Sequence, residues 1–328
     1  MTSPDRSVPL TGSSNFRDLG GYIGSGGRPV VWRKLFRSDH LGLLDDADIA
    51  QVGSLGVKRV FDFRGEQERT SQVCALPGVA VHSLAIEPTV VQAIQAMVAQ
   101  TGGVRPEDAV GLMQQTYRAF VHDSSAQFAE LFGHLLESDA PLVFHCTAGK
   151  DRTGFAAALV LLALGVPQPV VTQDYLLTND LFRPPELVGS YAPQEVRDVI
   201  ARVQTGFLDA ALDAVDSRFG GTEQYLEKAM RLGPTQRQRL RNCTCRLERT
   251  LSSGFAAHRR RKQASITQPL RVNLLQDGGG DLLDGLGGGG EPADTGAAHH
   301  GFGLVDFHAA VVQRGVFGVG AALVADFA

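Results

Sequence analysis

The chain has 328 residues, 43% of them hydrophobic, with 31 Lys and Arg against 35 Asp and Glu for a net charge of −4. That balance describes an ordinary globular protein. It excludes a bulk attraction to nucleic acid or to an anionic membrane, so any affinity for phosphate has to be local.

Met1 to Leu10 carries neither a basic nor an apolar segment, so no secretory signal reads there and a cytoplasmic location is expected. No apolar run is long enough to span a bilayer, and stable membrane insertion is not expected. The run Val57 to Phe61, ended by Asp62, predicts a strand, as does Val79 to Leu84. Gln92 to Gln100 and the following Thr101-Gly102-Gly103 predict a mobile segment. Val110, Met113, Tyr117, Phe120 and Val121 recur at helical spacing and predict a helix over Pro106 to Val121. Met113, Tyr117 and Phe120 read as core positions in preference to a lid over a lipid-accepting pocket. A cap near Ser124 and Ser125 opens a second apolar face of Phe128, Leu131, Phe132, Leu135 and Leu136. A third strand is predicted at Leu142 to Phe144, followed by a long helical run from Phe155 to Leu164. Strands alternating with helices imply an α/β fold, a mostly parallel sheet flanked by helices.

Between that third strand and its helix lies His145-Cys146-Thr147-Ala148-Gly149-Lys150-Asp151-Arg152-Thr153-Gly154. A strand that turns through a small glycine-containing loop into a helix aims several backbone N–H groups and the positive end of the helix dipole at one spot, which suits a phosphate. The same field favours a thiolate on Cys146, and Arg152, six residues on, offers a bidentate grip for two phosphate oxygens. The pattern therefore reads as phosphate-ester hydrolysis through a cysteine nucleophile, with the loop amides of Thr147, Ala148, Gly149 and Thr153 around the ester and no metal or cofactor required. A leaving alkoxide or phenolate needs a proton, and Asp151 is the first candidate to give it, with Asp62 the second. His145 is read as orienting the loop through hydrogen bonds in preference to acting as a base. Lys150 suits a further phosphate or a polyanionic headgroup. A nucleotide-binding loop is not met, because Asp151 follows Lys150 and the upstream glycine is missing.

This loop resembles the active-site loop of cysteine-dependent phosphatases, and specifically the bacterial tyrosine/serine protein phosphatase family, mycobacterial phosphatase B-like, with its related lipid phosphatases. Asn15-Phe16-Arg17-Asp18-Leu19-Gly20-Gly21-Tyr22, Leu35-Phe36-Arg37-Ser38, Val60-Phe61-Asp62-Phe63-Arg64, Asp174-Tyr175-Leu176-Leu177-Thr178-Asn179 and Tyr225-Leu226 are similar to that family's other motifs, in order. The resemblance implies Cys146 as nucleophile, Arg152 as phosphate binder and Asp151 as acid. It implies phosphorylated proteins as substrates, and phosphoinositides also, an activity associated with a lysine at the position of Lys150. Some relatives are exported without a visible signal. A phosphate-binding scaffold that captures phosphorylated partners with little turnover is the rival, disfavoured by the intact Cys146, Asp151 and Arg152.

The family-like domain is expected to span residues 1–241, with its last helix breaking off near Leu240-Arg241-Asn242. Residues 242–328 differ in character: a basic cluster at His258 to Lys262, a Gly/Asp/Leu run at Asp277 to Gly290 and a Gly/Ala/Val/Phe-rich end from Gly301. A calcium-binding repeat and a lipid-headgroup contact are weighed against a frameshifted extension, and the last is favoured. The four cysteines (Cys74, Cys146, Cys243, Cys245) are too few and too irregular for a disulfide framework and suit a reducing compartment. Neither Cys243 and Cys245 nor His299-His300 is expected to bind metal.

Overall fold

Alternation along the strands decides which residues meet which layer. In the computed structural model, residues 5–87, 90, 93–94, 97, 103–184 and 192–245 are described. Five strands, β1 (Arg17–Asp18), β2 (Leu35–Ser38), β3 (Arg59–Asp62), β4 (Ala80–Ser83) and β5 (Leu142–His145), form one sheet in the order β1-β2-β5-β3-β4. All neighbours are parallel except β1, which runs antiparallel to β2 at the edge. The helices are α1 (Asp46–Ser54), α2 (Glu66–Ser71), α3 (Pro106–His122), α4 (Ser125–Glu137), α5 (Arg152–Ala163), α6 (Gln168–Leu176), α7 (Thr178–Leu181), α8 (Gln194–Ala201), α9 (Thr205–Phe219), α10 (Thr222–Lys228) and α11 (Pro234–Thr244).

Leu35, Phe61, Leu142 and Phe144 point into the larger core, built with α3, α4, α5 and α9, while Phe36, Val60 and Val143 point into a smaller one with Val52 of α1. Burial of the central strands β2, β3 and β5 on both faces explains why β3 and β5 read as short apolar runs, whereas the edge strand β4 is mostly exposed. The expected α/β architecture is the one observed. The helix predicted over Pro106 to Val121 ends one residue later, and the three predicted strands are each displaced by at most two residues. β1, β2, α1 and α2 are additional. For α1 the signal lay in the chain, since the Asp45 carboxylate accepts a capping bond from the Asp48 amide, 2.8 Å, and acids fill its first turn.

Helix α5 is buried on nearly its whole circumference, from Arg152 through Leu161. Ala156, Ala157, Ala158 and Ala163 keep it slim enough for neighbours on every side, so the loop that feeds it sits on a rigid central post.

The last helix does not break off at Asn242. It runs to Thr244, whose carbonyl accepts from the Val31 amide at 2.8 Å, and Cys245 pairs with Val30 and is buried in the larger core. Among the described residues no helix is long and apolar enough to cross a membrane. The basic cluster at His258 to Lys262, His299-His300, the glycine-rich runs from Asp277 onward and most of the segment Gln92 to Gly103 lie outside the described residues.

A chain ended at Asn242 is expected to melt roughly 4–8 °C below one ended at Cys245, from about 2 kcal/mol of lost burial and hydrogen bonding. Paired thermal denaturation curves check it, and coincident curves would mean that the contacts to Val30 and Val31 contribute nothing.

Candidate active site

The parallel strands end in one row, with Ser38, His145, Asp62 and Ser83 in register. At this edge the chain leaves β5, turns through Cys146 to Asp151 and enters α5. Gly149 takes φ +64°, and a Cβ there would lie 2.3 Å from the Ser38 carbonyl oxygen, so only glycine fits the turn. Asp151 stands at the start of α5 and makes no side-chain capping bond. The first amides of that helix are thereby left for an anion from outside the chain.

The outer side of the turn is held by polar side chains. Asn15 Nδ2 donates to the carbonyls of Ala148 and Gly149 at 3.0 and 3.1 Å, and Arg37 Nη2 donates to the Gly149 carbonyl at 2.8 Å. Asn15 Oδ1 in turn accepts from Arg17. Asp174 of α6 receives Arg37 Nη1 at 2.8 Å, Arg17 Nε at 3.4 Å and the Tyr22 hydroxyl at 3.0 Å, and Thr178 accepts from Arg17 Nη2 at 3.1 Å. Burial and the charge of Arg37 bring the Arg17 guanidinium down to about 10, with Asp174 opposing. Burial would raise the Asp174 carboxyl, but the two arginines outweigh it and hold it below its ordinary value.

Arg152 is gripped from one end. Its Nη1 and Nη2 donate to the two oxygens of Glu68 at 2.7 and 2.9 Å, and Nη1 also donates to the Ile86 carbonyl at 2.9 Å. A guanidinium has five donors in a fixed plane. These contacts leave Nε–H and one Nη2–H, which share an edge and match two oxygens of a tetrahedral anion. Burial opposes the charge on Arg152, yet the Glu68 bonds and the nearby Cys146, Glu68 and Asp151 raise its pKa above the ordinary value. Burial likewise would raise Glu68, but Arg152, Thr147 and the Gly65 amide lower it. The Glu68 carboxylate is thus full, and Thr147 Oγ1 is one of its donors.

Cys146 lies buried at the loop's first position. His145 is buried behind it with Nδ1 2.9 Å from the Cys146 carbonyl oxygen. Burial pulls the imidazoles of His145 and His40 below their ordinary value. Asp62 is 1% exposed, and Arg64 takes both its oxygens at 2.8–3.1 Å. Burial would raise it, but His145 and Arg64 hold it low. A carboxylate so enclosed supports the sheet edge and has no oxygen turned to an incoming ester. Asp151, by contrast, keeps 24% of its side chain exposed. Its Oδ1 accepts from the Tyr117 hydroxyl at 3.0 Å, and Lys150 Nζ stands 3.1 Å from Oδ2.

Lys150, expected to face a further phosphate, is instead 5% exposed and also donates to the Ile200 carbonyl at the end of α8. Ala148 contributes its carbonyl to Asn15, and Thr153 is buried with no partner for its hydroxyl among the described residues. No three of the described His, Cys, Asp and Glu residues converge as metal ligands would. Sequence reasoning missed Glu68, Asn15, Arg37, Asp174, Tyr117 and Tyr175 as parts of the site. Glu68 had a weak signal, an acid three residues past Gly65 whose carboxylate accepts the Gly65 amide at 2.8 Å. Asn15, Arg37 and Asp174 lay in the recognised motifs, but their roles depend on partners 112 to 157 residues apart.

Residues 8–245 match the model of a family described as the tyrosine phosphatase family. A Cupriavidus necator protein named as a tyrosine-protein phosphatase is 34% identical over 232 residues, 68% of this chain and 84% of its own. The triple specificity protein phosphatase PtpB of Mycobacterium tuberculosis is 31% identical over 259 residues, 67% of this chain and 92% of its own. Among solved structures, P. aeruginosa TpbA matches at 16% identity with a TM-score of 0.28, covering 55% of this chain and 86% of that one.

The ion pairs give stability a direction with pH. Asp62, Glu68 and Asp174 sit below their ordinary values, so the unfolded chain takes up more protons than the folded one as pH falls through about 4. His40 and His145, lowered by burial, act in the same sense below about pH 6.5. Asp18 and Asp209, raised by burial, oppose them but are fewer. The unfolding free energy in urea is expected to decline from pH 7 to 5.5 and more steeply toward pH 3.5. A protein more stable at pH 4 than at pH 7 would contradict this account.

Proposed function

The chain belongs to the tyrosine phosphatase family and is therefore a phosphoric monoester hydrolase, and we propose that it cleaves phosphotyrosine in proteins through a phosphocysteine on Cys146. In the first step Sγ attacks phosphorus, the phosphorus–oxygen bond to the leaving group breaks, and Asp151 gives that oxygen its proton. In the second, water attacks the phosphocysteine, Asp151 takes a proton from it, and inorganic phosphate leaves with the thiolate restored. Arg152 and the loop amides hold the three equatorial oxygens throughout, so catalysis is mostly positioning and electrostatics.

The observation that carries this reading is the orientation of Arg152. Glu68 and Ile86 occupy one end of its guanidinium and leave the Nε/Nη2 edge, at the end of a loop that begins at the buried Cys146. A scaffold that only captured phosphate would not need Cys146 or an exposed acid beside it. Extension to phosphoserine, phosphothreonine and phosphoinositides is part of the proposal. For lipid headgroups it turns on Lys150, whose ammonium is engaged by Ile200 and Asp151. On this geometry Lys150→Ala lowers turnover of a phosphotyrosine peptide and of a phosphoinositide alike, whereas a loss confined to the lipid would give Lys150 a headgroup role.

Cys146→Ser is expected to abolish hydrolysis of p-nitrophenyl phosphate. Iodoacetate should alkylate Cys146 faster than a free thiol, and vanadate should protect it. Alkylation at the rate of a free thiol, unaffected by vanadate, would remove the nucleophile from the mechanism.

A further inference from the structure

Asp151 must present its proton to the leaving oxygen in a fixed direction, and two buried phenols converge on it from elements distant in the chain. Tyr117 of α3 is fully buried, its ring against Phe120, Phe207 and Tyr175 with centroids 5.2, 6.0 and 6.2 Å away. Its hydroxyl lies 3.0 Å from Asp151 Oδ1 and 2.7 Å from the hydroxyl of Tyr175, on α6. We propose that Tyr175 and Tyr117 form a directed hydrogen-bond chain that fixes the carboxyl of Asp151 for proton donation, an inference that rests on Asp151 being the acid of the proposed reaction.

The direction follows from counting donors. Once Asp151 has given up its proton its carboxylate only accepts and each phenol has one proton, so in that state Tyr117 donates to Asp151 and Tyr175 donates to Tyr117. Burial, reinforced by the charge of Asp151, pushes both phenols well above their ordinary value, which keeps them neutral donors. Lys150 Nζ meets the other oxygen of the same carboxylate. With one partner on each oxygen the plane of the carboxyl is set, and the negative charge that appears when the proton departs is met at both oxygens. The proton that moves belongs to Asp151; Tyr117 keeps its own. Tyr117 and Tyr175 are positioning residues in this scheme, and the dipeptide Asp174-Tyr175 serves the loop twice. Asp174 anchors the arginine that holds its backbone, and Tyr175 steadies its acid.

The alternative is a tyrosine pair that merely satisfies its own hydroxyls in the core. Leaving-group dependence separates the two, because a misplaced acid hurts a poor leaving group more than a good one. Tyr117→Phe is expected to lower kcat/KM about tenfold on an alkyl phosphate and no more than about threefold on p-nitrophenyl phosphate. Tyr175→Phe should show the same bias with a smaller loss. Phe207→Leu, which disturbs the packing of the Tyr117 ring without removing a hydroxyl, should show no such bias. Equal losses on both substrates for Tyr117→Phe, or the same bias for Phe207→Leu, would overturn the chain as a positioning device. Asp151→Asn is measured alongside; if it lacks leaving-group dependence, the assignment of the acid falls and the proposal with it. A steep dependence for Asp151→Asn with none for Tyr117→Phe would sink the chain alone.

Discussion

A turn that gathers its N–H groups around an anion must send its carbonyls the other way, into the protein, and buried carbonyls need donors. Here the donors are Asn15 and Arg37, which take the carbonyls of Ala148 and Gly149. Arg37 is positioned by Asp174, Asp174 is shared with Arg17, and Arg17 returns to Asn15. The loop's curvature therefore depends on one carboxylate between two buried guanidiniums. Breaking such an arrangement by removing one partner typically costs about 3–5 kcal/mol, since the charges left behind stay buried.

The rest of the site repeats that logic with a different outcome for each arginine. Arg64 spends its Nε and Nη2 on Asp62 and its Nη1 on the carbonyls of Glu68 and Gln72. Arg17 and Arg37 close on Asp174, Thr178 and the loop. Among the described residues Arg37 also leaves its Nε without a partner, but buried and with Nη2 engaged, whereas Arg152 keeps both Nε–H and one Nη2–H of a single edge at the loop. A chain with a net charge of −4 can thus attract a dianion locally, because Arg152, although paired with Glu68, keeps donors to spare at the loop. Glu68 places Arg152 and also receives Thr147, so a single short helix, α2, tensions both ends of the turn.

The two acids weighed from sequence are separated by enclosure. Asp62 and Asp151 are both carboxylates at the sheet edge, but Asp62 is clamped by Arg64 beneath the surface while Asp151 remains open to solvent beside Tyr117 and Lys150. Lys150 shows the reverse. Its neighbours in the chain suggest a charge in the binding loop, yet its ammonium ends on the carbonyl of Ile200, fifty residues away, tying the loop to the end of α8.

By itself the sequence determined what local patterning can encode: the strand at Leu142, a small glycine-containing turn after it, the cysteine and arginine six residues apart, and the helix from Pro106 with Tyr117 on its apolar face. These survive because side-chain direction in strands and helices is periodic and a tight turn restricts its residues at short range. Only the tertiary structure decided which charges face the ligand. Glu68 against Arg152, Arg37 against Gly149, Tyr117 against Asp151 and Lys150 against Ile200 join residues 34 to 112 positions apart. Whether a buried ionisable group is a tool or a strut is set by the partners that fill its hydrogen-bonding sites, and those partners arrive only when the chain has packed.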